Sequence, residues 1–275
     1  MSHKTTAAEH FDDIEDNKKA ASVSYPRRKF AAAAPIPSKM LHCALFRVAD
    51  KRVPRAEQVR KTFPLSSGGY LEYKGSELRQ DEGNVFAALA HLTAGFGPAK
   101  GALFKPADLV KQLGWSKTDH STTRLDECLM RLRDASLAFF TSNGEKAWLT
   151  GLVLEIEYKV EGKPDYWHVS LSDKLRSEAF EHFSQTTHLN TNILATLSGG
   201  LTSWLYAFIA SQACDTAFLL DDLHTLSGSG TKDAKEWGRQ VRAALDTLEK
   251  RKIILGYAST RGSVKVQKNP RQPSE

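Results

Sequence analysis

Residues 103–141, LFKPADLVKQLGWSKTDHSTTRLDECLMRLRDASLAFFT, leave little freedom in what they can fold into. Pro106 suits the first turn of a helix, where a missing N–H costs nothing. Leu109, Val110 and Leu113 follow on one face, and Gly114 stops the helix. A longer helix begins near Ser116 or Thr118. Its buried stripe is Leu125, Leu129 and Leu132 with Cys128, while Lys117, His120, Arg124, Glu127 and Arg131 recur at helical spacing on the opposite face. A short helix, a tight turn and a longer helix form a helix-turn-helix pattern. There the second helix enters the major groove and its first turns reach base edges. Ser121, Thr122 and Thr123 are short donors and acceptors suited to that place. Leu137, Phe139 and Phe140 then start a strand, and a strand pair after the long helix makes a winged helix.

The pattern alone does not specify DNA binding. Across 117–134, Lys117, Arg124, Arg131 and Arg133 are offset by Asp119, Asp126, Glu127 and Asp134. Its recurrence says more. Phe104, Asp108, Leu109 and Gly114 reappear as Phe218, Asp222, Leu223 and Gly228, each 114 residues on. Leu125, Leu129, Leu132 and Leu137 reappear as Val241, Leu245, Leu248 and Ile253, each 116 residues on. The second copy is basic: Lys235, Arg239 and Arg242 lie opposite Trp237, Val241, Leu245 and Leu248. From Thr231 to Glu275 eleven Lys/Arg face five Asp/Glu, an excess of +6 equal to the net charge of the whole chain. A basic domain at one end is the electrostatic footprint of a nucleic-acid binder.

Dispersed motifs add a family. Ala44-Leu45-Phe46 with Val53-Pro54-Arg55, Gly75 to Arg79 (GSELR), Leu113-Gly114-Trp115-Ser116, and Glu127-Cys128-Leu129 with Arg131-Leu132 occur in order, followed by Lys235-Glu236-Trp237 and Gln240-Val241. Together, from about Ala44 to Gln267, the chain resembles the TrfA-type replication initiators of broad-host-range plasmids. The resemblance implies a protein that binds direct repeats (iterons) in a plasmid origin, opens the adjacent AT-rich duplex and recruits host replication proteins, with the replicative helicase and the initiator ATPase as partners. It also implies a monomer–dimer equilibrium and a bacterial cytoplasmic location. Family members carry a Gln-Leu-x-Leu-Phe peptide for the host sliding clamp. That peptide is not found in these 275 residues, so the resemblance does not extend to clamp contact.

The rest of the chain is read in order. Residues 1–40 are expected to form a flexible, disordered tail, with Phe11 and Ile14 as lone anchors and Ala31 to Pro37 (AAAAPIP) as a linker. Leu45 to Val48, Thr62 to Leu65 and Tyr70 to Tyr73 read as short strands, with basic Lys51, Arg52, Arg55, Arg60 and Lys61 between the first two. Asp81 to Ala94 reads as a helix. Asn143-Gly144 reads as a hairpin turn, followed by a strand over Trp148 to Tyr158. Ser172 to Phe183 is expected to be a helix leading into the second domain, and Thr202 to Gln212 a buried one. Ile253 to Tyr257 and Val264 to Gln267 pair around a wing tip at Arg261.

The expected fold class is therefore α+β: two tandem winged-helix domains, 41–183 with an enlarged β-wing and 184–275 with the basic face, behind a disordered tail. The expected DNA contacts are Lys117, His120, Ser121, Thr122, Arg124 and Arg131 in the first domain. In the second they are Lys232, Lys235, Arg239, Arg242, Arg261 and Lys265. No phosphate-binding loop, His-hydrophobic-His metal pair or two-metal acidic cluster occurs, so neither a cofactor nor catalysis is expected. No apolar run is long enough for a membrane span. Cys43, Cys128 and Cys214 read as buried thiols. A transcriptional regulator that occupies operator DNA without opening it is the alternative function.

Overall fold

The computed structural model describes residues 33–50, 52–64, 69–94, 101–172, 186–197, 199–213 and 215–270. The expected tail up to residue 32, the helix after Ser172, the division at 183/184, Lys51 and Cys214 lie outside these residues.

The first described segment corrects the linker reading. Ala33–Pro37 is a strand, β1, leading into the short helix α1, Ser38–Leu41. β1 pairs antiparallel with β9, Thr186–Asn190, in a two-stranded sheet. A strand paired on one side tolerates Pro35 and Pro37, because their missing N–H groups are not needed for a second ladder. Burial explains the rest. Ala34, Ile36, Met40 and Leu41 join the core, and His91 of α2 bonds the Ala33 carbonyl.

The long helices follow from their apolar spacing. α2 spans Gln80–Thr93, and Val85, Phe86 and Leu89 point inward. The strand β4, Ala102–Phe104, leads into α3, Pro106–Gln112, with Pro106 in the first turn as expected. α4, Asp119–Arg133, starts with the Thr118 side chain accepting from the Ser121 amide. The second copy repeats this order. α6, Gly200–Ala210, precedes β10, Thr216–Leu219; α7, Leu220–Ser227; and α8, Ala234–Lys250. Leu125, Leu129 and Leu132 of α4 and Val241, Leu245 and Leu248 of α8 are all fully buried. Both turns use left-handed glycines, Gly114 at φ 72° and Gly228 at φ 63°. A short helix α5, Thr191–Thr196, precedes α6.

The strands depart from the expected wing. β5, Ser136–Phe140, and β6, Lys146–Gly151, join β2, Val59–Pro64, and β3, Tyr70–Gly75, in a sheet of order β2-β3-β5-β6. The single strand expected over Trp148–Tyr158 is broken at Leu152, and its second part, β7, Val153–Glu157, enters another sheet. That sheet has the order β4-β8-β7, with β8 at Trp167–Leu171. The second copy has the same arrangement, β10-β12-β11, with β11 at Ile254–Ser259 and β12 at Ser263–Lys268. The strand pair occupying the place of β11–β12 is thus β7–β8, not the Asn143-Gly144 hairpin. The β5–β6 hairpin is an excursion whose ends meet, Ser136 opposite Gly151. Leu137 therefore does not correspond to Ile253. Both positions are buried, Leu137 within β5 and Ile253 just before β11, because any residue closing a helix onto a strand needs burial. Leu45 to Val48 is not a strand either; Arg47 makes a single bridge to Arg79.

From residue 32 on the chain packs as one compact unit with a shared core. The two-helix turns are seated crosswise. A side chain at Gly114 would collide with the carbonyl of Ala195 in α5. One at Gly228 would fall 2.9 Å from Ala44 Cβ and 3.1 Å from Arg47 Cγ. Cys43 and Cys128 are buried free thiols. Burial pushes the Cys43 thiol up to about 12, where it stays protonated. Among the described residues no helix is long and apolar enough to cross a membrane, and no group of three His, Cys, Asp or Glu is placed to hold a metal ion.

Candidate nucleic-acid interface

The second long helix carries an exposed basic face. Asp233 caps α8, accepting from the Glu236 amide at 2.8 Å. The Trp237 indole N–H donates to the Leu220 carbonyl at 2.7 Å and locks α8 onto α7. With Trp237, Val241, Leu245 and Leu248 turned in, Lys235 and Arg239 are exposed and Arg242 is half-buried. Lys232 is exposed on the lead-in to α8, and Arg261 and Lys265 are exposed on the β11–β12 hairpin. The hairpin tip is anchored. Thr260 N–H donates to the Ser263 carbonyl, and Leu220 N–H donates to the Gly262 carbonyl, each at 2.9 Å.

Arg239 donates twice to Glu236, at 2.8 and 2.6 Å, and Gln240 donates to the same carboxylate at 2.9 Å. Those bonds, Arg239's first, hold the Glu236 carboxyl down to about 2. The Arg239 side chain remains 68% exposed, so a phosphate can compete for it.

The first long helix differs from the sequence expectation at three residues. Ser121 is 6% exposed, and its hydroxyl meets the Thr118 hydroxyl at 3.1 Å. The Arg124 guanidinium donates from Nε (3.0 Å) and Nη2 (2.5 Å) to Asp81 of α2 and lies 4.0 Å from the centre of the Trp115 ring. Arg131 donates to Glu82 at 2.9 Å and reaches Glu127 at 3.4 Å. The face of α4 bearing Arg124, Cys128 and Arg131 is thus a seam against α2, because α2 offers carboxylates there. Lys117 and His120 remain exposed and Thr122 half-buried. The 116-residue offset held the signal. It sets Ser121 at Trp237 and Arg124 at Gln240, while Asp119, Thr123 and Asp126 fall where α8 has Lys235, Arg239 and Arg242.

We expect Arg124→Ala to cost about 1–2 kcal/mol of stability, the size of a partly buried ion pair with a cation–π contact. It should weaken binding to a preferred repeat and to scrambled DNA alike. Chemical denaturation with paired binding titrations checks this; a loss confined to the repeat would return Arg124 to base reading.

In both copies a tyrosine donates to an aspartate of the long helix at 2.5 Å: Tyr158, just after β7, to Asp126, and Tyr257 of β11 to Asp246. Burial and those bonds push both phenols up to about 12. The strands are thereby fixed to the helices beside them. The β7–β8 connection carries Lys159, exposed, and Lys163, whose ammonium lies 5.7 Å from the Tyr166 ring centre. Lys105 lies 5.2 Å from the same ring centre. Glu161 and Asp165 balance these two lysines along the connection, and neither lysine is among the DNA contacts expected from the sequence.

The family motifs of the first half build scaffold. Glu77 of GSELR accepts from Arg79 Nε at 2.7 Å and Arg47 Nη1 at 2.8 Å. Glu82, fully buried, accepts from Arg55 and Arg131, each at 2.9 Å, and from the Arg79 amide at 2.8 Å. Of the basic residues between the first strands, Arg55 is thus internal, Arg60 pairs with Glu72, and Arg52 pairs with Asp50.

Comparison with known proteins first defines the class. The fold is mixed α/β and is shared with domains 2 and 3 of RctB. A selenomethionine crystal structure of those domains superposes with a TM-score of 0.60 at 14% identity, covering 84% of this chain and 98% of that one. A second crystal structure of RctB domains 2–3 gives 0.52 at 14% identity, covering 80% and 95%. Family membership follows from sequence. The model of the TrfA protein family matches residues 25–259, and the chain belongs to that family. The plasmid replication initiator protein TrfA of Escherichia coli is 28% identical over 217 residues, 78% of this chain. The chain spans 56% of that relative's length.

Proposed function

We propose that this chain is a plasmid DNA replication initiator. Its two copies, within residues 41–183 and 184–275, act as tandem winged-helix units on direct repeats of an origin. It then promotes opening of the adjacent AT-rich duplex and recruits the host helicase and initiator ATPase. The observation that carries this reading is the exposed basic face of α8 in a chain of the TrfA family. Lys232, Lys235, Arg239 and Arg242, with Arg261 and Lys265 on the hairpin, supply most of the affinity. Lys117, His120 and Thr122 at the start of α4 add discrimination, because that helix has too little net charge to bind phosphate in bulk. The protein works by binding and deforming DNA, and it acts in the bacterial cytoplasm as a monomer in exchange with a dimer.

Permanganate footprinting of supercoiled plasmid origin DNA tests this reading. Thymines beside the bound repeats should become reactive when the chain and host factors are added. A transcriptional regulator would protect its site and expose none. Within the reading, Arg239→Ala and Arg242→Ala should each flatten the salt dependence of binding, by about 0.9 in the log–log slope for each phosphate left unneutralised. Parent-like affinity at every salt concentration in both variants would remove α8 from the DNA.

A further inference from the structure

We infer that Arg47 is a positioning residue that fixes the spacing between the two DNA-reading helices, and so the length of repeat the protein accepts. The inference rests on the reading that both copies touch DNA. Arg47 lies between the copies. Its Nη1 donates to Glu77 at 2.8 Å, and Glu77 is 5% exposed and also held by Arg79. Its Nε donates to the carbonyl of Gly228 at 2.6 Å. Gly228 is the left-handed residue that ends α7 and starts the turn toward α8. The backbone around Arg47 makes the same connection. Arg47 N–H donates to the Leu78 carbonyl and Val48 N–H to the Ser227 carbonyl, each at 2.9 Å. One guanidinium thus joins the ion network under α2 and α4 to the corner from which α8 departs.

The geometry suits a strut. A guanidinium is planar and donates in fixed directions, so two acceptors on its fork are held at one separation. Glu77 is anchored independently, and the Gly228 turn is pressed on Ala44 and Arg47 with no room for a side chain. The first copy is braced the other way, its Gly114 turn resting on Ala195 of α5. With both corners seated on chain from the opposite copy, α4 and α8 cannot move independently. Two reading helices held at one separation fit only duplexes whose contacted segments lie at matching separation and phase. One inserted base pair changes these by about 3.4 Å and about 35°. Without the Arg47 side chain the corner of α8 loses its charged tie to Glu77 and keeps only the main-chain bonds and the contact with Ala44, so the separation is held less tightly.

The test uses the full chain. Duplexes selected by the parent from a randomised pool supply the repeat. A series with one base pair inserted at each successive step is then titrated with the parent, Arg47→Ala and Arg47→Lys. Lysine keeps the charge toward Glu77 but cannot hold both acceptors, so it serves even where alanine fails to fold. At the step between the two contacted segments the parent should lose at least about tenfold in affinity, and the variants less than about threefold, while insertions inside either segment hurt all three alike. Nitroxides at Thr123→Cys on α4 and Ala243→Cys on α8, with Cys214→Ser, give the helix separation without DNA. The parent should show one narrow distance, and Arg47→Lys a broader one. A variant with the parent's insertion profile and the parent's distance distribution overturns the positioning role. A variant with a broadened distance, in a chain whose parent selects no duplex, would instead overturn the DNA reading and leave Arg47 a strut without that use.

Discussion

Glu82→Ala should remove about 3–5 kcal/mol of stability, the cost of breaking a buried ion pair by deleting one partner. Glu82 has no exposed surface, and four donors converge on it: the Arg55 and Arg131 guanidinia, the Arg79 amide and, at 3.3 Å, the Cys128 thiol. Truncation leaves two guanidinia facing each other over a void, with side chains only 26% and 21% exposed. Glu82→Gln keeps an acceptor and should lose less. Urea unfolding at neutral pH measures both, and a loss below about 1 kcal/mol for alanine would mean that water replaces the carboxylate without penalty. The neighbouring Glu77 adds pH dependence. Burial alone would raise its carboxyl, but the bonds from Arg79 and Arg47 outweigh burial and hold it below the usual range. Its contribution is complete above the ordinary Glu value of about 4.3 and is lost as pH falls through the lowered folded value. Stability should therefore fall with acid less steeply in Glu77→Gln.

Trp237→Ala should cost a comparable amount, about 3–5 kcal/mol, the range for truncating a large buried aromatic. The ring is 2% exposed, meets His224 edge-on at 5.1 Å, and spends its N–H on the Leu220 carbonyl. Its loss opens a cavity between α7 and α8 and orphans that carbonyl. DNA binding should weaken because the α8 corner loosens, yet the salt dependence should keep the parent's slope, since every side chain proposed to neutralise phosphate remains. Weaker binding with an unchanged slope separates this scaffold role from the phosphate-binding role proposed for Arg239. An unfolding midpoint within about 1 °C of the parent would show that the corner closes over the void without Trp237.

Much of this fold was legible in the chain. Pro106, Gly114, Gly228 and the leucine spacing of α4 and α8 marked the two-helix units, because helix periodicity and left-handed turns are local demands that particular residue types meet. The internal repeat was legible for the same reason. The exposure of the candidate site's residues was legible in part. Lys235 and Arg239 stand where the periodicity set them, since the opposite stripe is strongly apolar. Arg124 and Arg131 do not, because α4 has two covered sides and the second is polar. A helical wheel separates apolar from polar; it cannot separate an arginine facing solvent from one facing Asp81 or Glu82.

The sequence by itself determined the helices of the two-helix units and the helix before each, their turns, the repeat, the placement of net charge and the family. Each of these depends on residues near one another in the chain or on their order along it. The tertiary structure decided which strands form the pair beside each long helix. It also decided that AAPIP is a strand, that the family motifs of the first half are scaffold, and that the Gly114 corner rests on Ala195 and the Gly228 corner on Ala44 and Arg47. Those outcomes depend on pairings such as β1 with β9 and Arg47 with Gly228, separated by well over a hundred residues. Hydrogen-bond donors and acceptors of that kind carry no periodicity, and a partner is chosen only when packing brings it within reach.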